Sequence, residues 1–491
     1  MKKILFLITF LAISLSNCTN LDEGIFDKRV ADQFYATSAG ANAALANIYG
    51  EIRGDWGGKG IAGADRGWFD LNEVTTDELM LPTRSDGAWA DNGIWRQLYL
   101  HQYGAASELV VNTWNWLYRA VFKGNLAVEL LTTAKASPEK IAEAKVLRAY
   151  FYYLLMDGWG NVPFFTDNNI TIDKIPQTDR KTLYNFVVSE LTANVPLLSS
   201  TKGGDFYGRF NKWAGYALLA KIYLNAQIYT GTPALTEAIA NCDKIINEGG
   251  FSLHPNYMEL TADRCPDTEV ILAVFVEANL APRNIIGIRS LRGAHGQAVL
   301  GFSTWNGATA HQNFVNKYSN DDKRKAQWIT GAQPGGVNYA LNISSITAAG
   351  VEEGARNVRY LPDLTSSSKA VFNNNSTSND FSVFRYADIL LMKAEALVRN
   401  GSAGTAKALV DQVRARAGVA ALSSAPSLDD LYDERGREFC WEGLRRQDMI
   451  RFGKYLLAHD FKPASDPKYS VFPIPQAAID ANTNLKQNAG Y

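Results

Sequence analysis

Small residues gather at the centres of segments whose apolar residues repeat with helical spacing, and this limits the architecture more than any other feature. In the segment 210–226 they are Ala214, Gly215, Ala217 and Ala220. Similar clusters fall within 144–149, 387–396 and 404–408. A helix with small residues at its centre lets a neighbouring helix approach closely. Paired helices of this kind, joined by short loops, are the unit of tetratricopeptide-like stacks.

The individual segments carry their own start and stop signs. Ser137-Pro138-Glu139 places an N-cap, a proline at the first helical position and an acid in the first turn. Ala144, Leu147, Phe151 and Leu154 follow on one face, and Asp157-Gly158 is read as the end. A further helix is expected from about Phe384 to Arg399, and one acid-rich helix over 434–453. Others are expected near 37–52, 108–134, 181–198, 233–248, 403–417 and 427–455.

Two regions break the helical pattern. Residues 53–107 and 255–383 are rich in Gly, Asn, Ser and Thr, and "FNNNSTSND" at 372–380 reads as an exposed loop. The fold class that follows is mainly α: a tetratricopeptide-like helix-pair scaffold (about 37–52, 108–250 and 384–455) with a large irregular, loop-rich subdomain (about 53–107 and 255–383). Residues 456–491 form a C-terminal tail. Binding sites commonly sit in loops held by such a frame.

The N-terminus reads as a targeting segment, not as part of the fold. Lys2 and Lys3 precede an apolar run, Ile4–Leu15, followed by Ser16, Asn17 and Cys18. That run is shorter than the roughly 20 residues a spanning helix needs, so residues 1–17 read as a signal peptide. A cysteine at the end of the apolar run is similar to a bacterial lipobox, which makes Cys18 the expected lipidation site. Loss of residues 1–17 would change the net charge from −1 to −3. No other run of 18 apolar residues exists, so the mature body is expected to be soluble and tethered.

Composition removes several classes of function. The near-zero net charge gives no electrostatic footprint for nucleic acid. Cys242, Cys265 and Cys440 show no CxxC spacing, and the five histidines are scattered, so no metal site, disulfide framework or cofactor is expected. Glu434, Glu438 and Glu442 stand four apart and interleave with arginines, the arrangement of a salt-bridge ladder. Glycoside hydrolysis instead needs two carboxyls facing across a cleft. Arg148, Arg385 and Glu395 likewise read as internal polar ties. "GDWGGKG" at 54–60 has glycines and a lysine without P-loop spacing and is read as a loop. No catalytic residue is assigned.

Blocks spread over nearly the whole mature chain resemble the SusD/RagB family of outer-membrane lipoproteins from Bacteroidetes. They are "CTNLDEG" at 18–24, "NWLYRAVFKGN" at 115–125, "EAKVLRAYFYYLLMDGWGNVPF" at 143–164 and "GRFNKWAGYALLAKIYLNA" at 208–226. "FRYADILLMKAEAL" at 384–397, "ERGREFCWEGLRRQDMIRFG" at 434–453 and "FPIPQAAIDANTNLKQNAGY" at 472–491 complete the series. The resemblance implies a surface-exposed, lipid-anchored outer-membrane protein without enzymatic activity. Its ligand would be an oligosaccharide, or in some members a peptide. Its partner would be a SusC-like TonB-dependent transporter that it covers as a lid.

The candidate binding residues come from the loops. Trp56, Trp68, Trp89 and Trp95 fall in one irregular stretch among Asp65, Arg66, Asp70, Arg84, Asp86, Asp91 and Asn92. A sugar ring offers an apolar C–H face to an indole and hydroxyls to Asp, Asn and Arg. Trp89, Asp91, Arg84, Trp68 and Asp65 are therefore candidate ligand contacts. A second loop, 303–312, adds Trp305 and Asn306. Trp89 is the expected platform, because Gly87, Ala88 and Ala90 leave its surroundings open. Trp95, Trp114, Trp116, Trp159 and Trp213 are expected to pack inside.

Overall fold

A computed structural model describes residues 33–55, 57–62, 65–277, 281, 284–362 and 376–491. Residues 1–17, which read as a signal peptide, together with Cys18, Trp56 and residues 372–375 of the Asn-rich loop, lie outside the described residues. The first part of the described chain holds helices α1 (Ser38–Arg53), α2 (Trp68–Glu73), α3 (Ile94–Tyr99), α4 (Glu108–Thr133) and α5 (Pro138–Trp159). Strands β1 (Val162–Pro163) and β2 (Gln177–Thr178) precede α6 (Arg180–Asn194), α7 (Lys212–Leu224), α8 (Ala226–Thr230) and α9 (Leu235–Glu248). The central part holds β3 (Val270–Val274), α10 (Gly293–Leu300), α11 (Gln312–Val315), β4 (Trp328–Ile329), β5 (Gly331–Gln333), β6 (Val337–Tyr339), β7 (Arg356–Asn357) and β8 (Phe381–Arg385). The last part has α12 (Tyr386–Arg399), α13 (Ala403–Ala417), α14 (Leu428–Glu438), α15 (Arg445–Arg451) and α16 (Gln476–Ala481).

The helices pack as neighbours: α4 on α5, α5 on α6, α7 on α9, α9 on α12 and α12 on α13, with α1 against α4. Local chemistry sets their ends. The Ser137 side chain accepts from the Lys140 N–H at the start of α5, with Pro138 at the first helical position. Asn211 caps α7 in the same way. The small face of α7 is used for close packing: a Cβ on Gly215 would come within 2.5 Å of the Val195 side chain. Among the described residues the strands form only two-stranded antiparallel sheets, and β3 pairs with β8. One hydrophobic core runs from Ile61, Phe69 and Trp95 in the first irregular region to Phe472 and Ile474 near the C-terminus. No helix among the described residues is long and apolar enough to cross a membrane.

Two expected helices differ in the structure. Phe384 and Arg385 belong to strand β8, so α12 starts at Tyr386. Residues 434–453 are not one helix. α14 ends at Glu438, Trp441 (φ +61°) and Gly443 (φ +75°) reverse the chain, and α15 begins at Arg445. Buried carboxylates hold the reversal: Glu78 accepts from the Trp441 N–H at 2.9 Å, and Glu73 accepts from the Gly443 N–H.

The three glutamates therefore do not form a ladder along one helix. They sit in a buried ionic cluster built from distant segments. Arg385 donates to Glu269 at 2.7 Å, to Glu438 at 2.9 Å and to Glu442 at 2.7 and 2.8 Å. Arg324 donates to Asp322 at 2.8 Å, Glu434 at 2.7 Å and Glu438 at 3.0 Å. Arg416 joins Glu269 to Glu438, and Arg359 reaches Glu442 at 2.6 Å. Burial opposes the ionisation of Glu438, but Arg416, Arg385 and Arg324 outweigh it and hold the carboxyl well below the usual range. Arg148 pairs with Glu190, and Glu395 with Arg399 and Arg451. Cys242, Cys265 and Cys440 are buried free thiols.

Removing one member of such a cluster strands its partners without water. Arg385→Ala is expected to destabilise the protein by about 3–5 kcal/mol, read as a fall in the urea midpoint. Lys174→Ala, which breaks an exposed pair with Asp173, should leave the midpoint in place. An Arg385→Ala midpoint equal to wild type would show that the cluster does not hold the fold.

Candidate functional site

The loop that bears Trp89 is tied down from beneath by Arg84. A tight turn forms first, with the Arg84 N–H donating to the Ala88 carbonyl at 2.8 Å. The Arg84 side chain then turns inward, where it is 1% exposed. Its donors reach four backbone carbonyls: Asn306 at 3.0 Å, Gly307 at 3.0 Å, Glu353 at 2.9 Å and Gly350 at 3.2 Å. One guanidinium thus fastens the 84–95 loop to the 305–307 loop and to the 350–353 turn.

Trp89 lies over this junction. Its indole N–H donates to the Trp305 carbonyl at 2.8 Å. Its ring covers Gly307 so closely that a Cβ there would come within 2.3 Å of it. On another side it meets Trp95, with ring centroids 5.7 Å apart and planes tilted by 58°. Trp95 is buried, and its N–H donates to the Asp91 carboxylate at 2.7 Å. Trp89 and Trp305 are half-buried, and Asp91 is exposed.

A chain of charges runs from Asp91 into the protein. Arg66 pairs with Asp91 at 3.2 Å and with Glu108, in the first turn of α4, at 3.0 Å. Asp70 accepts from the Arg66 N–H at 2.7 Å and from the buried Arg289 at 2.8 Å. Asp65 lies 3.4 Å from Arg66 and 3.9 Å from Arg289. Burial, with the Asp70 carboxylate beside it, pushes the Asp65 carboxyl up to about 6.

Backbone strain concentrates at the same place. Nine non-glycine residues among those described have positive φ, and five of them are Arg66, Trp89, Asp91, Asn92 and Asn306. Each such residue costs on the order of 1–3 kcal/mol and persists only where its surroundings over-determine it. Here Arg84 and the two indole N–H bonds supply that constraint. Clustered strain of this kind is a mark of functional loops.

Three candidate contacts take other roles. Arg84 is spent on internal carbonyls, because four acceptors surround it where no water reaches. Asn306 is also interior: it donates to the Val351 carbonyl at 2.9 Å and accepts from Arg356 at 3.0 Å. Trp68 lies away from Trp89, against Gly443 and Phe381, and lines a small buried cavity of about 30 Å³ with Tyr150 and Glu442. Trp89, Trp305, Asp91 and Asp65 remain at the accessible junction. Arg66 joins them as a residue that the sequence placed only among the polar neighbours, and Glu108, the first residue of α4, was not singled out. Trp114, Trp116, Trp159 and Trp213 are buried as expected.

This arrangement offers indole surface, a carboxylate and a guanidinium edge. Glu434, Glu438 and Glu442 lie elsewhere, each enclosed by arginines. Among the described residues no group of His, Cys, Asp and Glu could hold a metal ion.

Comparison with known proteins agrees across the chain. Residues 289–491 match the model of the SusD family, and residues 61–224 match a model described as starch-binding, associating with the outer membrane. The chain is 26% identical to the starch-binding protein SusD of Bacteroides thetaiotaomicron, covering 99% of this chain and 98% of that protein. It is 25% identical to a SusD-like protein of Bacteroides ovatus, covering 93% and 83% respectively. Among solved structures, surface glycan-binding protein A from Bacteroides thetaiotaomicron in complex with laminarihexaose superposes with a TM-score of 0.77 at 21% identity, covering 92% of this chain and 99% of that one. A laminarin-binding SusD-like protein gives 0.77 at 22% identity, covering 93% and 100%.

Asp65 gives the site a pH signature. Its carboxyl is raised from 3.8 to about 6 in the folded state, so the folded protein holds this proton more tightly than the unfolded chain. Its share of stability is therefore present below pH 3.8 and is lost as pH rises to about 6. Asp65→Asn removes that loss. The unfolding free energy of the variant should gain on wild type across this window and run parallel to it above. Parallel curves throughout would show that Asp65 titrates normally.

Proposed function

The chain belongs to the SusD/RagB family, and on that premise we propose that it captures oligosaccharides at the Trp89–Trp305 junction. It is a non-catalytic, surface glycan-binding protein of the outer membrane. The observation that carries the reading is the meeting of two indole-bearing loops, 84–95 and 303–312, beside Asp91, Arg66 and Asp65. An indole covers the apolar face of a sugar ring, and the carboxylates and guanidinium take hydrogen bonds from or give them to its hydroxyls. The strained loop backbone is set before the ligand arrives, so little ordering is left to offset the contacts.

The protein works by holding rather than cutting. The bound saccharide passes to a SusC-like TonB-dependent transporter, over which the protein sits as a lid. Acylation of Cys18 supplies the tether, since each buried CH₂ adds about 0.8 kcal/mol of membrane affinity. Cys18→Ala should move the protein from the membrane fraction to the soluble fraction, and a variant that stays with the membrane would remove Cys18 from this role.

Titration calorimetry against laminarihexaose and maltohexaose tests the site. Trp89→Ala and Trp305→Ala should each weaken binding at least about tenfold, or about 1.4 kcal/mol. Trp89→Phe keeps an aromatic face and loses only the bond to the Trp305 carbonyl, so its loss should be smaller. Wild-type affinity in both alanine variants would place the saccharide elsewhere.

A further inference from the structure

The glycine-rich stretch 54–60 does more than connect α1 to α2. Gly54 (φ +81°) and Gly60 (φ +88°) meet where the loop closes on itself through an antiparallel contact of Asp55 with Lys59. A Cβ on Gly54 would stand 1.9 Å from the Lys59 carbonyl oxygen, and one on Gly60 would stand 2.2 Å from that of Arg53. Only glycine fits at either place. The closure fixes Lys59 beside the C-terminal end of α1.

Between that loop, α1 and α4 lies an open cleft of about 560 Å³, within the size range of small-ligand sites. Arg53, Lys59, Arg119 and Lys123 line it, against Glu51 and Asp55. Glu51 is 5% exposed and is bound by Arg119 at 2.8 Å and Lys123 at 2.6 Å. Arg53 and Lys59 make no side-chain hydrogen bond or ion pair among the described residues. The cleft thus carries two more cations than carboxylates in a chain whose net charge is −1. Positive charge gathered in a concavity focuses its field on an incoming anion.

The cleft is also in line with the Trp89 junction. Glu108, which holds Arg66, is the first residue of α4, and Arg119 lies 11 residues further on the same face, about 17 Å along the axis. Gly58 of the loop packs against the Arg66 carbonyl and Asn112 of that face. The Trp89 junction and the basic cleft are two stations on one surface.

We propose that the α1–α4 cleft is a second subsite that takes the carboxylate or sulfate groups of an acidic saccharide, which makes the ligand class an anionic oligosaccharide. The inference rests on the reading of the Trp89 junction as a saccharide site. A concave cleft favours a small charged group over a membrane surface, which would meet a broad convex basic face.

The test uses the lipid-free mature protein, calorimetry, and three probes: an oligogalacturonate, a sulfated galactan oligosaccharide and neutral laminarihexaose. At least one acidic probe should bind with an affinity that falls as salt rises. Arg53→Gln/Lys59→Gln should weaken it at least tenfold, leave neutral-glycan binding as in wild type and keep the melting temperature. Equal affinity of the double variant for the acidic probes, or no acidic binding beside retained laminarihexaose binding, overturns the subsite and spares the Trp89 reading. Failure of all three probes overturns both. Anionic phospholipid vesicles that bind wild type and not the double variant would assign the cleft to a lipid surface and overturn the saccharide class.

Discussion

The fold depends on the buried ionic cluster around Glu438. Its cations come from the loop before β4 (Arg324), from β8 (Arg385) and from α13 (Arg416). Its carboxylates come from the segment before β3 (Glu269), from α14 (Glu434, Glu438) and from the reversal that follows (Glu442). Moving such charges out of water costs several kcal/mol per ion. The cost is offset only when every partner is in place. The cluster therefore acts as a geometric condition on parts of the chain that lack helical periodicity. β8 must pair with β3 in the observed register to set Arg385 beside Glu269, and a slip would strand both. Helix propensity could not impose that order on residues 255–383.

This division explains what could be read beforehand. α5 was legible because its information is local: a capping serine, a proline, an acid and an apolar face lie in consecutive residues. The structural role of Glu434, Glu438 and Glu442 was legible from their spacing with arginine. Their arrangement was not. The helix stops at Glu438 because Glu73 and Glu78, more than 350 residues away, capture the N–H groups of Gly443 and Trp441. No local pattern encodes a partner at that distance. The same holds for Phe384 and Arg385, which helical periodicity assigns to α12 and pairing with β3 draws into a strand.

The candidate site shows the limit in a sharper form. Composition pointed to the 84–95 loop but could not separate side chains that face out from those that face in. Arg84 and Asp91 are equally plausible sugar contacts by chemistry. The structure sends Arg84 to four carbonyls and leaves Asp91 exposed. The difference arises from the 305–307 and 350–353 turns, which present unpaired carbonyl oxygens that a buried donor must satisfy. An arginine with its fan of donors fits that need, and the loop is built around it.

The carboxylates around the proposed binding junction are engaged by the same kind of charge pairing. An acid–base pair requires two carboxyls whose environments differ and whose oxygens face an open space. Glu434, Glu438 and Glu442 are locked by arginines, and at the junction Asp91 is engaged by Arg66 and the Trp95 N–H. Asp65 is pushed upward, and the groups nearest it are two guanidiniums and another carboxylate, Asp70. What stays accessible is flat aromatic surface and hydrogen-bonding edge, held in a strained backbone that resists adjustment. Such a surface suits the shape and hydroxyl pattern of a saccharide, which is what the proposed capture requires.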